Sequence, residues 1–184
     1  MNIKTGLVAI VLLTILWLGD TQPANAERKA KNYSYTAVLM DERAGIQAYK
    51  AGDFSKAFER LKGPALHGLK QAQYLIAFMF LKGQHVDQSL IIGMGWLGVA
   101  KESKIKSWQS VYDQIYDNAT IEQKALIDNK VAEYIEKFGS RTQKIKCVNR
   151  VPVGRKNTRI ECNKQEGITP LYDIELTLAN DNEE

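Results

Sequence analysis

The sequence predicts a mostly α protein: short antiparallel helix pairs followed by a small disulfide-closed antiparallel β appendage. Three observations carry that expectation. From about Ala37 to Gly139, apolar residues recur at three- and four-residue spacings between glycine-rich breaks. After Gly139 the pattern changes to short β-like stretches. The chain's two cysteines, Cys147 and Cys162, lie in that second region, fifteen positions apart.

The N-terminus reads as a targeting segment. Lys4 supplies a short positive region, and Leu7 to Leu18 is a run of twelve almost unbroken apolar residues. Gly19 and Asp20 end the run, and Ala24-Asn25-Ala26 is the small-x-small pattern that a signal peptidase recognises. Twelve apolar residues make about 18 Å of helix, short of the roughly 30 Å hydrocarbon core. Residues 1–26 are therefore expected to be a bacterial-type signal peptide cleaved after Ala26, the alternative being a retained membrane anchor. No Cys follows the run and no twin-Arg pair precedes it, which points away from lipidation and towards export of the unfolded chain. The expected location is the periplasm, with no transmembrane segment after cleavage. The strongest later apolar run, Tyr74 to Leu81, is eight residues and fits a buried helix.

What remains, Glu27 to Glu184, has the length of one domain or of one domain with an appendage. A hydrophobic content of 45% with 25% charged residues is that of a folded globular chain, so disorder is not the default. The targeting segment carries one Lys and one Asp, so the exported part keeps the net charge of +4. That charge is too small to imply nucleic acid.

Residues 27–36 are polar and basic and read as an N-terminal arm. Residues 37–140 form the expected helical domain, with breaks at Ala51-Gly52-Asp53, Lys62-Gly63-Pro64, Gly83-Gln84 and Gly139-Ser140. Asp53 and Asp87 stand where helices start, and the glycines where helices end. Breaks this close together mean short helices instead of a long coiled coil.

Residues 141–184 form the expected β-hairpin or meander tail. Lys144 to Arg150 and Thr158 to Asn163 flank a turn at Pro152 to Gly154. Leu171 to Leu178 alternates, with Tyr172, Ile174, Leu176 and Leu178 on one face, and reads as a half-buried strand. Ala179 to Glu184 reads as a frayed acidic end. In an oxidising compartment, Cys147 and Cys162 are most simply a disulfide. A metal site lacks ligands, because His67 and His85 are the chain's two histidines and both are far from the cysteines in sequence.

A repeat runs through the middle of the helical region. Ala65 and Gly68 form an Ala-x-x-Gly pair, followed by Ala72, Ile76, Ala77, Phe80, Gly83 and Val86, and then by Gly93, Trp96 and Ala100. In order and spacing this resembles the Sel-one-like repeat family, relatives of the tetratricopeptide repeat. Ala77 stands where that family usually has Gly, Phe80 where it has Tyr, and Gly93 where it has Ala. Upstream, Gly45, Tyr49 and Gly52 with Lys56-Ala57 look like a worn previous unit. Downstream, Ser103 and Ser107 fall where the next Gly and Ala belong, with Trp108 to Tyr116 as that unit's helix. The three units cover about half of the exported part. The resemblance implies an α-solenoid in which Ala72, Ala77, Gly93 and Ala100 let helices approach, while Phe80 and Trp96 fill the space between units. A generic helical bundle is the alternative. The tail, with Gly154 between the cysteines, looks like a cysteine-closed hairpin of uncharacterised exported bacterial proteins. Those usually carry Gly-Ser-Arg-Ile where this chain has Gly154-Arg155-Lys156 and Arg159-Ile160, and the likeness implies no chemistry.

Catalytic signatures are missing from the sequence: no Gly-x-Ser-x-Gly, no His-Glu-x-x-His and no phosphate-cradling glycine loop. Cysteine catalysis needs a free thiol beside a His. His67, in an inter-helix turn, and His85, in a loop, read as solvated or capping groups. Glu133 and Glu136 with Lys130 and Lys137 read as a solvated ion-pair face. No enzyme activity, cofactor or metal is expected.

Charge patterning supplies the remaining hint. Arg141 to Lys164 carries eight bases and one acid, whereas Gln165 to Glu184 carries six acids and no base. Either the two blocks neutralise each other, or Arg150, Arg155, Lys156 and Arg159 meet an anionic partner. Two functions are therefore expected as alternatives. One is a periplasmic protein–protein interaction module or scaffold, its concave helical face holding a protein or peptide of the cell envelope, as the resemblance implies. The other is an envelope-associated structural protein whose basic hairpin docks on an anionic surface.

Overall fold

A computed structural model describes residues 34–151, 153–154 and 157–164. The expected signal peptide, residues 27–33 of the expected arm, and the Leu171–Leu178 strand with its acidic end lie outside these residues. The described part is mostly helical: α1 (Tyr35–Lys50), α2 (Phe54–Leu66), α3 (Lys70–Lys82), α4 (Leu90–Lys101), α5 (Lys106–Asp117) and α6 (Ile121–Phe138), then β1 (Ile145–Arg150) and β2 (Arg159–Lys164). None of the described helices is long and apolar enough to cross a membrane.

Local chemistry explains most boundaries. Ser34 caps α1 by accepting from the Ala37 N–H at 3.3 Å, so the helix starts inside the expected arm. Asp53 caps α2 through Lys56 at 3.1 Å, as its position implies. Gly83 ends α3 in a left-handed conformation (φ 64°) that a Cβ disfavours. Thr120 and Gln123 close a capping box on α6.

Four local expectations are corrected. Lys62-Gly63-Pro64 is no break, because α2 continues through Pro64 to Leu66. The carbonyl that Pro64 leaves without a helical donor belongs to Arg60, an exposed residue that water reaches. Asp87 does not start α4; Ser89 does, accepting from Ile92 N–H at 3.2 Å. Gly139 ends α6 in extended, not left-handed, backbone (φ −68°, ψ 165°). Finally, the helix expected over Trp108 to Tyr116 starts two residues earlier, at Lys106. Gly68 (φ 84°), Leu69 and Lys70 lead into α3 with the same backbone that Lys104 (φ 63°), Ile105 and Lys106 use to enter α5, 36 positions later. Ser103 and Ser107 each stand one position before the residues, Lys104 and Trp108, that lie 36 positions after Gly68 and Ala72.

Helices α1 and α2 pack together, as do α3 and α4, and α2 packs against α3. Their short connections make the partners antiparallel. The third pair departs from this order: α6 packs chiefly against α4, while α5 meets α4 less closely. Helix α4 is thus central, buried from Ile92 to Ala100. Three glycines make that position possible. A Cβ on Gly93 would stand 2.6 Å from Leu81 of α3, one on Gly95 2.8 Å from Lys130, and one on Gly98 2.6 Å from Val131, the last two in α6. In α1, Gly45 makes the same kind of approach to Leu61 of α2. Trp96 fills the α4–α6 seam, stacked on Phe138 (5.1 Å) and tilted against Tyr134 (4.8 Å). Phe80 meets Phe58 edge-on at 6.2 Å between α3 and α2. Ala65, Ala72, Ile76, Ala77 and Ala100 are buried, and Val86 packs half-buried on the core.

Strands β1 and β2 form one antiparallel pair in which Cys147 faces Cys162, and a disulfide joins them. The hairpin's base is tied to the helices. Ile145 is buried beneath Gly68, where a Cβ would stand 3.0 Å from it, and the Tyr35 hydroxyl accepts from Lys164 N–H at 3.2 Å.

Candidate functional site

Three arrangements stand out, and the first is a row of rings on α3 and α5. On α3, a helix otherwise enclosed, Gln71, Tyr74, Phe78 and Lys82 form the side that reaches solvent, at spacings of three and four. The Tyr74 ring stacks on Trp108 of α5 at 4.3 Å and 14°, and meets Phe78 at 4.9 Å. The Lys82 ammonium lies 5.4 Å over the Phe78 ring. Burial raises the pKa of the Tyr74 phenol. Tyr49 of α1 is raised by burial and then by Tyr74 beside it, and donates its own hydroxyl to Gln84 at 3.0 Å. The row therefore joins α3 and α5, the first helices of the second and third consecutive pairs. Tyr74 and Phe78 are half-buried, so rings with fixed neighbours still present apolar surface.

The second arrangement is a buried polar hub where helices end. Lys70, in the first turn of α3, donates to Gln73 (3.0 Å), to the Val99 carbonyl of α4 (3.1 Å) and to Glu102 (2.8 Å). Gln73 in turn donates to the carbonyls of Ala65 in α2 (2.9 Å) and Phe138 in α6 (3.0 Å). Glu102 also accepts from Ser140 N–H at 2.7 Å. Lys70 and Gln73 thus reach terminal carbonyls of three helices, and those of Ala65 and Val99 also accept from the N–H groups of Gly68 and Glu102. Burial lowers the Lys70 pKa, and Glu102 opposes that shift. Nearby, Glu42 of α1 accepts from the Ala72 N–H and takes the place of the side-chain cap that α3 lacks. Burial raises the Glu42 pKa. The Lys70 ammonium and the Gln73 amide are spent on structure, which suits a junction better than a binding site.

The third arrangement is the hairpin end. Arg150 and Arg159 are directly opposite in register, and Glu161 pairs with both, at 3.4 Å from Arg150 and 2.5 Å from Arg159. Arg155 and Lys156, the other two candidate anion-binding residues, lie outside the described residues.

The histidines are placed differently from each other. His67 is buried, with Nδ1 2.8 Å from the Gly63 carbonyl, and burial lowers its pKa. It caps and is not solvated. His85 is exposed, with φ 69°, its ring 5.9 Å from Phe58. Glu133 pairs with both Lys130 (3.1 Å) and Lys137 (2.5 Å), although Lys130 is buried. Among the described residues, no three His, Cys, Asp or Glu side chains are grouped to hold a metal ion.

Sequence reasoning missed the ring row and the hub. The i, i+4 pair Tyr74 and Phe78 is a helix-face signal, but the surrounding apolar run made it read as buried core. Lys70, Gln73 and Glu102 look like ordinary surface residues until the fold brings α4 and α6 beside them.

Comparison with protein-family models, curated proteins and solved structures finds no match to this chain.

Proposed function

We propose that the chain is an exported, periplasmic interaction module built on Sel-one-like repeats, which holds a peptide or protein segment against the first helices of its helix pairs. The observation that carries this reading is the Phe78–Tyr74 pair, half-exposed yet locked ring against ring on the buried Trp108. Aromatic side chains with fixed rotamers give large contact area for little loss of side-chain entropy, which is why they anchor interfaces. The return of one backbone pattern after 36 positions supports a repeat, as do the close approaches at Gly45 and Gly93. In the better-matched unit the family's Gly and Ala are exchanged between Ala77 and Gly93. The exchange keeps the approach tight, because a Cβ on Gly93 would stand 3.1 Å from the Ala77 carbonyl oxygen. In this reading α6, laid against α4, closes the stack instead of continuing it. The disulfide supports an oxidising compartment.

A photo-crosslinking residue placed at Phe78 in the producing cell tests the reading. It should trap a discrete partner that the same residue at Ile121, exposed on α6, does not trap. Identical adducts from both positions, or none from Phe78, would reject this face as the interface.

A further inference from the structure

The hairpin tip carries an apolar pair that the ring row does not explain. Val151 is 59% exposed and Val153 105%, whereas most apolar side chains of the described part are gathered in one core. The valines follow directly on Arg150, the last residue of β1. Arg150 faces Arg159 across the pair, and like charges directly opposite each other repel. Glu161 bridges them, yet both arginines keep 63% of their side chains exposed. Side chains alternate along a strand, so Lys146 shares this face with Arg150, and three bases stand there against one acid. Behind the tip the Cys147–Cys162 bond holds the two strands together.

We propose that this tip is a membrane-docking wedge: Val151 and Val153 enter the apolar layer of an anionic bilayer while Arg150, Arg159 and Lys146 meet its head groups. Two exposed aliphatic side chains directly beside exposed cations is the pairing of chemistries that a bilayer interface offers. Val153 lies three residues beyond Arg150, a span of at most about 10 Å. Interfacial apolar groups bury about 5–10 Å deep. An acidic protein surface answers the cations but gives no reason for two aliphatic side chains to stand bare beside them. The wedge is independent of the ring row, so either assignment can fail alone. It gives the anionic surface expected from the charge pattern a definite identity.

The test is vesicle binding by the full chain, with phosphatidylcholine alone and with phosphatidylcholine carrying phosphatidylglycerol. Lys4 and the basic arm also favour the anionic vesicle, so the change of the anionic-to-neutral affinity ratio on substitution, and not the ratio itself, reports the hairpin. That ratio should be tenfold or more for the parent. It should fall by about fivefold for each of Arg150→Gln and Arg159→Gln, the effect of one cation near an anionic surface. Val151→Ser with Val153→Ser should weaken anionic binding about tenfold while leaving its salt dependence and the thermal midpoint unchanged. Equal affinity for the two vesicle types overturns the proposal. So does anionic binding that ignores the serines, because that describes a purely electrostatic contact of the kind an acidic protein makes.

Discussion

The Lys70 ammonium lies 2.8 Å from the Glu102 carboxylate, across 32 positions of chain, and this pair joins the entry of α3 to the exit of α4. Lys70 is almost fully enclosed while Glu102 retains some solvent. Removing one partner leaves the other charge poorly compensated, the usual reason broken buried pairs are costly. Lys70→Met should therefore destabilise the chain by about 2–4 kcal/mol. Adding Glu102→Gln should recover part of that loss, read as a urea midpoint. An unchanged midpoint in Lys70→Met would mean that the hub does not hold these helix ends.

Helix α4 depends on small residues facing α6 and on one large one. Trp96→Ala should cost about 3–5 kcal/mol, the range for emptying an aromatic site in a core. Gly98→Ala poses a sharper question, because alanine gains about 1 kcal/mol of helix propensity. Its methyl group, however, would stand 2.6 Å from a branched and stiff Val131. Overpacking costs about 1–3 kcal/mol, so the net effect should be a loss. In a Val131→Ala background the sign should reverse and Gly98→Ala should stabilise. Denaturation of the four variants checks both signs.

The disulfide acts on the hairpin and not on the helices. Opening a loop of about 15 residues removes roughly 3 kcal/mol in the chain-entropy model. On reduction, amide exchange should rise from Ile145 to Lys164 and stay low in α3 and α4. The native protein should show no reactive thiol, since both cysteines are bonded. Two labelled thiols per native chain would contradict the structure here.

How much of this could be read from sequence follows physical range. Helix periodicity, the Asp53 cap and the cysteine pair are local signals, and they led to a run of short helices, a hairpin and its bond. Pro64 misled because it stands two residues before the end of α2, where it removes one hydrogen bond, to the carbonyl of the exposed Arg60. The left-handed position before α5 carries no local signal, because Lys104 holds it instead of the glycine that usually marks it. Gly95 and Gly98 went unread because their purpose lies in α6, more than 30 positions away. Gln73 reaching the Phe138 carbonyl, 65 positions on, has no local trace.

The buried His67 makes stability depend on pH in a definite direction. Burial depresses its folded-state pKa below the ordinary 6.5, so the unfolded chain takes up the proton first as pH falls. Stability is full above about pH 6.5 and declines below it until the folded-state pKa is reached. The slope from this group cannot exceed about 1.4 kcal/mol per pH unit. His67→Gln should flatten the stability profile between about pH 7 and 5.5, where ordinary carboxylates scarcely titrate. Unfolding free energies for both proteins across that range give the comparison.

The claim that a partner lies along the ring row is tested most directly with peptides selected from a displayed random library on the immobilised full chain. Each selected peptide is then titrated against Phe78→Ser, Tyr74→Ser and the Val151→Ser/Val153→Ser pair, with thermal midpoints recorded. The prediction is a loss of tenfold or more in affinity for the two ring variants, none for the valine pair, and little dependence on salt. Peptides that bind the ring variants as tightly as the parent, or whose binding collapses with added salt, would contradict it.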